Sequence, residues 1–208
     1  MQNTVANENG ITIRKMLDCD SDLKLYLKWM TDPETMKYWD GMTEVYTYER
    51  VVENYRRHME EQVEQCMIEY NQNPVGYCQY CILNADNFEV PEEQYNSFVA
   101  ENEIAYGIDM FLGEVEYRNQ GIGTNCLKLL AKTLFNEYKA DALMIDPKVH
   151  NTRAIQCYHK VGFRDLFVVP QRELQDGVYH DSLIMGMRKS RLCASDHYGV
   201  IAEIDFSK

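Results

Sequence analysis

Tyr117-Arg118-Asn119-Gln120-Gly121-Ile122-Gly123-Thr124 is the stretch from which the rest of the chain can be read. It follows a strand-like run, Glu103 to Gly113, and opens a helix-like run, Asn125 to Tyr138. An Arg-x-x-Gly-x-Gly turn at such a junction exposes backbone N–H groups where the helix dipole is positive, which is the geometry of a pyrophosphate cradle. Glycine at 121 and 123 lets the backbone approach a ligand with no Cβ in the way. A short glycine turn more often only makes a tight corner, so its neighbours decide the reading.

Upstream, Gly107-Ile108-Asp109-Met110-Phe111-Leu112-Gly113 places one carboxylate inside an apolar strand. That costs free energy unless the group is paired, hydrogen-bonded or put to use. Strand alternation sets Asp109, Phe111 and Gly113 on one face. The bland alternative is an Asp at a strand end facing water; the nearby cradle favours function. Downstream, Ala142-Leu143-Met144-Ile145 reads as a short buried strand with a parallel neighbour, ended by Asp146 and Pro147. Asn151 or Thr152 opens a helix that Gly162 closes, and Asn151 and Tyr158 share one of its faces. Taken singly, Tyr158 reads as core packing, and His150 and His159 as solvated.

Working outward, Ile11 to Leu17 is a first strand, and Asp20 or Ser21 caps a helix with Leu23, Leu27 and Met30 on one stripe. A loop carrying Tyr38-Trp39-Asp40-Gly41 follows, and Thr47 caps a helix running to about Gln62. Cys66 to Tyr70 and Val75 to Tyr80 flank Asn71-Gln72-Asn73-Pro74 as a hairpin. The polar stretch Asn84 to Asn102 is too long for a tight turn and reads as a functional or mobile loop. Phe163 to Val169 and Val178 to Met187 form an antiparallel pair around Gln175-Asp176-Gly177. No repeat or Pro/Gly/Ser linker divides the chain, so residues 1–188 read as one domain and 189–208 as a C-terminal extension.

The chain has 208 residues, 45% of them hydrophobic and 12% aromatic, enough for a packed core. Its formal charge of −12 disfavours nucleic acid or an anionic membrane as partner and favours a cationic small molecule, although solubility is the commoner cause of acidity. Asp86, Glu89, Glu92, Glu93, Glu101 and Glu103 crowd before the key strand, where a cluster near a cleft would steer a polycation. No apolar run resembles a signal peptide or a membrane span, and the seven cysteines read as reduced thiols, so a cytoplasmic protein is expected. Cys78-Gln79-Tyr80-Cys81 matches C-x-x-C, but on a strand the two cysteines point to opposite faces, so both read as packing residues and no metal is expected.

Together, these pieces resemble the GNAT acetyltransferase superfamily over roughly Ile11 to Arg188. The resemblance implies an α/β domain of α+β type, with a mixed, mostly antiparallel sheet splayed at its middle strands and flanked by helices. Its co-substrate would be acetyl-CoA. The turn Arg118, Asn119, Gln120, Gly121, Ile122, Gly123 and Thr124 would hold the pyrophosphate, and Phe111, Leu112 and Gly113 the pantetheine arm. Asn151 and Arg153 would also contact the coenzyme, and Tyr158 would be the general acid beside the thioester sulfur.

A narrower resemblance, to the aminoglycoside 6′-N-acetyltransferases, rests on several short matches. They are Pro74-Val75-Gly76-Tyr77-Cys78-Gln79, Tyr106-Gly107-Ile108-Asp109, Asp146-Pro147 and Arg153-Ala154-Ile155-Gln156-Cys157-Tyr158. It implies Asp109 as base toward the 6′-amine and Asp146 as a drug contact, with Gln79 and Tyr38-Trp39-Asp40 on the acceptor side. A monomer or homodimer is expected. The rivals are the same chemistry on a peptide N-terminus or polyamine, and a non-catalytic acetyl-CoA-binding module. No Lys follows the glycine turn in the P-loop position, which removes a nucleotide-kinase reading. The tail Ala194 to Glu203 looks like a closing strand of endonuclease/exonuclease/phosphatase enzymes, whose other motifs the chain lacks.

Overall fold

The computed structural model describes residues 3–189. In chain order its elements are β1 (Thr4–Glu8), β2 (Ile11–Lys15), α1 (Asp20–Met30), α2 (Pro33–Met36), α3 (Tyr48–Glu60), β3 (Glu64–Tyr70), β4 (Asn73–Ile82) and α4 (Glu92–Asn96). There follow β5 (Ala105–Leu112), α5 (Ile122–Asn136), β6 (Ala142–Ile145), α6 (Thr152–Val161), β7 (Arg164–Gln175) and β8 (Val178–Arg188). The eight strands form one sheet in the order β1-β2-β3-β4-β5-β6-β8-β7.

Alternation along the central strands divides the apolar side chains between two layers. Cys66, Ile68, Cys78, Tyr80 and Ile108 pack beneath α5 and α6 with Leu127, Leu130, Leu134 and Phe135. Met67, Tyr77 and Phe111 face the other way, against Leu23, Trp29 and Met30 of α1 and Val51 and Tyr55 of α3. Covered on both faces, β3 shows an unbroken buried run from Gln65 to Ile68. Cys78 and Cys81 do point into different layers, and the described cysteines are all free thiols.

Every sheet pairing is antiparallel except β5 with β6. That parallel pair lasts only from Ala105↔Ala142 through Gly107↔Met144, after which the strands part. Beyond Gly107, β5 keeps its β4 partner as far as Leu112, but among the described residues its other edge has no strand beside it. This parting is the splay expected from the sequence, and it opens a wedge in the middle of the sheet.

Several local expectations need correction. The N-terminal strand β1 was not foreseen, and α1 begins at Asp20 with Cys19 as N-cap, so neither Asp20 nor Ser21 caps it with a side chain. The key strand is shorter than its sequence signal, Ala105–Leu112. The polar segment before it is no simple loop. It folds α4 and buries Phe88, Val90, Tyr95 and Val99 against Ala105, Ala142, Met144 and Ile184. Four apolar residues spread through a polar stretch are enough to anchor it. The Thr47 cap, the hairpin and β6 occur where the sequence places them; Asn71 and Gln72 both take positive φ, the backbone of a tight hairpin turn. The tail motif at Ala194 to Glu203 lies outside the described residues.

Gly113 ends the key strand directly against Trp29, where a Cβ would lie 2.3 Å from the indole ring. Gly113→Ala is therefore expected to destabilise the protein by about 1–3 kcal/mol through overpacking, read as a lower urea midpoint with unchanged m-value.

Candidate active site

A cleft of about 720 Å³ occupies the wedge between β5 and β6. Its walls are the end of β5, the start of α5, the loop after β6 with the start of α6, and the Tyr38–Asp40 loop.

At one end lies the glycine turn. Gly121 is the N-cap of α5 with φ of 80°, a conformation that favours glycine, and a Cβ there would point into open space. No side chain caps α5 and no acidic residue sits in its first turn, so its leading N–H groups face the cleft unsatisfied by side chains. Asn119, Gly121, Gly123 and Thr124 line the cleft. Thr124 Oγ1 lies 3.2 Å from Cys157 Sγ, which ties this turn to α6.

Other members of the expected coenzyme set are placed differently. The Arg118 guanidinium turns inward: Nε donates to Leu112 O at 2.9 Å, and an Nη donates to Gly113 O at 3.1 Å and Thr35 Oγ1 at 3.0 Å. Its side chain is only 10% exposed and fastens the cradle to the end of β5 and to α2, while Arg118 also lines the cleft beside Asn119 and Gly121. Gln120 bonds to Glu116 O, Ile122 is buried in the core, and Gly113 packs on Trp29, so none of the three lines the cleft. Asn151 caps α6 through its side-chain oxygen, which accepts from Ala154 N at 3.3 Å and leaves its amide donors free for the cleft. Arg153 stands exposed at the cleft wall, and Phe111 and Leu112 line its floor.

Asp109 stands just past the point where β5 and β6 part, partly exposed on the floor. Burial, and then the charge of Asp146, push its carboxyl up from 3.8 to about 7; the Gln79 amide, donating to Oδ2 at 2.9 Å, works the other way. Tyr158 is buried beside Phe163 and lines the same cleft, and burial holds its hydroxyl well above the usual range, so it stays protonated. A half-ionised carboxylate and a firmly protonated phenol thus share one cavity.

Tyr38, Trp39, Asp40, Gln79 and Asp146 all line the cleft. Asp146, however, is bound by Arg172, which also donates to Phe88 O at 2.6 Å and so joins the acceptor side to the packed segment before β5. Several contributors were missed, Glu34 among them. Glu173 lines the cleft, and Lys148, 5% exposed, pairs with it at 2.9 Å while donating to Trp39 O at 3.1 Å. Glu173 carried no signal, because its place depends on the β7 register; Lys148, two residues after Asp146, was legible only as a charge. The six acidic residues of the Asp86–Glu103 cluster do not line the cleft. Its carboxylates are Glu34, Asp40, Asp109, Asp146 and Glu173. Among the described residues, no three His, Cys, Asp or Glu side chains converge as metal ligands, and no helix is long and apolar enough to cross a membrane.

A parallel pair that parts beside an uncapped glycine-led helix defines an acyl-CoA-type transferase fold. The family model for the acetyltransferase (GNAT) domain matches residues 18–169, and the chain belongs to that family of acyltransferases. Among curated proteins it resembles the aminoglycoside N(6′)-acetyltransferase type 1 of Klebsiella pneumoniae, 29% identical over 162 residues, covering 76% of this chain and 77% of that protein. A kanamycin resistance protein of Rhizobium radiobacter is 39% identical over 57 residues, covering 27% of this chain and 53% of that one. Among solved structures, AAC(6′)-Ib in complex with ribostamycin and coenzyme A superposes with a TM-score of 0.72 at 22% identity, covering 92% of this chain and 100% of that one. The spermidine N-acetyltransferase of Vibrio cholerae, with coenzyme A and spermine, gives 0.71 at 14% identity, covering 89% and 99%; both share the fold.

The raised Asp109 value has a consequence for stability. The folded state holds this proton more tightly than the unfolded chain, so the contribution is full below about 3.8 and is lost as pH rises through about 7. Asp109→Asn, fixed neutral, is expected to match the wild-type Tm near pH 4 and to exceed it above pH 7 by a few degrees, about 1–2 kcal/mol, in calorimetric scans across pH.

Proposed function

We propose that this chain transfers the acetyl group of acetyl-CoA to the 6′-amine of aminoglycosides, directly within a ternary complex. The observation that carries this reading is the position of Asp109: a carboxyl near neutrality at the parting of β5 and β6, sharing a cleft with Tyr158 and the glycine-led start of α5.

The leading N–H groups of α5 bind the diphosphate, and the unpaired edge of β5 near Phe111 and Leu112 aligns the pantetheine arm. An aminoglycoside amine is mostly protonated at neutral pH and cannot attack in that form. Asp109 accepts its proton, directly or through one water, a role worth about 10²–10⁴ in rate. The amine attacks the thioester carbonyl, and backbone N–H groups near Phe111 and Leu112 meet the developing oxyanion. The C–S bond breaks as Tyr158 protonates the departing thiolate, and the second proton of the attacking nitrogen, lost as the amide forms, returns to the Tyr158 oxygen directly or through water. No covalent enzyme intermediate is needed, since the thioester is already activated and both substrates lie side by side. Arg50, Arg57, Arg118, Lys148, Arg153 and Lys160 share the lining with the carboxylates, so a polycation is drawn locally by Asp40, Asp109 and Asp146 rather than by a net acidic wall, at a rate that falls as salt rises. The curated relatives named for 6′-acetylation and kanamycin resistance support this acceptor over a peptide N-terminus or polyamine. A sensor module would need neither Asp109 nor Tyr158.

Thiol release from acetyl-CoA is expected with aminoglycosides bearing a 6′-amine and at least tenfold less with 6′-hydroxyl analogues; equal turnover of the two classes overturns the regiochemistry. In the same assay kcat/KM is expected to rise with pH to a midpoint near 7, as Asp109 loses its proton, and then level. Asp109→Asn should lower kcat by about 10²–10⁴ and remove that limb; full kcat in this variant excludes Asp109 as base.

A further inference from the structure

The base is held by more than its own strand. Tyr77, on β4 directly opposite Phe111, is fully buried. Its hydroxyl donates to Gln79 Oε1 at 2.9 Å, and Gln79 Nε2 donates to Asp109 Oδ2 at 2.9 Å. A second amide stands behind it: Gln65, 5% exposed, donates through Nε2 to Tyr55 O at 3.0 Å and presents Oε1 to the same hydroxyl at 3.4 Å. His58 Nδ1 lies 3.3 Å from that Oε1. The Tyr77 ring cannot swing away, because it stacks on Phe111 at 5.7 Å and packs on Tyr26 at 4.7 Å.

The Tyr77 hydroxyl therefore sits between two amide oxygens with a single proton to give. The closer acceptor is Gln79. A primary amide has a donor end and an acceptor end, and its two orientations act on a neighbouring carboxylate with opposite sign. We propose that Tyr77 is a positioning residue for proton transfer: its hydroxyl pins the carbonyl of Gln79, so that the amide N–H and not the C=O faces Asp109.

Pinned this way, Gln79 favours the ionised carboxylate, the form a base needs. With the pin removed, the amide can turn its oxygen to Asp109, an arrangement stable only when the carboxyl is protonated. Burial keeps the Tyr77 hydroxyl protonated, so it donates at any working pH. The other groups facing Asp109 act independently of it. Asp146 and Glu173 raise its affinity for a proton and Arg172 lowers it, while Tyr26, Cys81 and Tyr158 face it as neutral groups.

This inference rests on Asp109 as the base, and the experiment separates the two. The Asp109 carboxyl carbon is titrated by NMR in the free protein, and kcat/KM for a 6′-amino aminoglycoside is measured against pH. Both are done for wild type, Tyr77→Phe, Gln79→Leu and the double variant. Tyr77→Phe is expected to move the NMR midpoint and the acid limb upward together by about half to one pH unit, a three- to tenfold loss at pH 6 that recovers at high pH. The double variant should shift no further than Gln79→Leu alone, because Tyr77 acts through that amide. Gln65→Met, which removes the competing acceptor, should leave the midpoint in place or lower it. An unmoved midpoint in Tyr77→Phe with activity reduced equally at all pH values, additive shifts in the double variant, or an upward shift in Gln65→Met overturns the proposal. Absence of wild-type turnover with these drugs would fail the functional reading alone, since the NMR midpoints still decide the role of Tyr77.

Discussion

The molecule depends on one parallel pairing that stops early. β5 and β6 share only the stretch from Ala105 and Ala142 to Gly107 and Met144. A parallel pair needs a long crossover, here α5, and that crossover starts at the glycine turn. The same connection that makes the strands neighbours therefore puts a helix N-terminus at the top of the gap where they separate. Backbone groups left unpaired along β5 are tolerable because they face a cavity and not the core. Asp109 belongs to this edge as well: one residue back along the strand, the side chain of Ile108 is already in the buried layer under α5.

The cavity balances opposing demands on charge. Among the described residues, Asp109 has no cationic partner within bonding reach and is held by the Gln79 amide alone. Asp146 and Glu173, by contrast, are matched with Arg172 and Lys148. Pairing those two limits how far their field raises Asp109, yet leaves enough to keep its proton exchangeable near neutrality. Like-charged groups brought this close would otherwise destabilise the fold.

Much of this was legible in the chain. Short apolar runs and turn residues located β6 and the β3–β4 hairpin, and the Asn151 cap, the glycine turn and the lone Asp of an apolar strand pointed to the cleft. What stayed hidden has physical reasons. Arg118 reads as a cation at an anion site and does line the cleft, but its hold on the carbonyls of Leu112 and Gly113 is a tertiary contact that no local pattern announces. The segment from Asn84 to Asn102 looks solvated because its apolar residues follow neither period, and tertiary contacts alone order them. Glu173 and Lys148 enter the site through strand register, which a single sequence specifies weakly. The packing roles of Gly113 and Trp29 were equally invisible, since no local pattern announces a contact between residues so far apart in the chain.

The Tyr38–Asp40 loop is fastened from the far side of the wedge. Lys148 holds its Trp39 carbonyl, Gln175 donates to Lys37 O at 3.2 Å, and Asp176 accepts from the backbone N–H groups of Met42 and Thr43 at 2.9 and 2.7 Å. The tip of the β7–β8 hairpin and this loop are thus stitched into a single wall whose foundations lie in opposite halves of the chain. Such a wall yields as one piece. Sequence drift at the hairpin tip would re-aim Trp39 and reshape that side of the cleft, while leaving Gln79, Asp109 and Tyr158 on β4, β5 and α6 as they are.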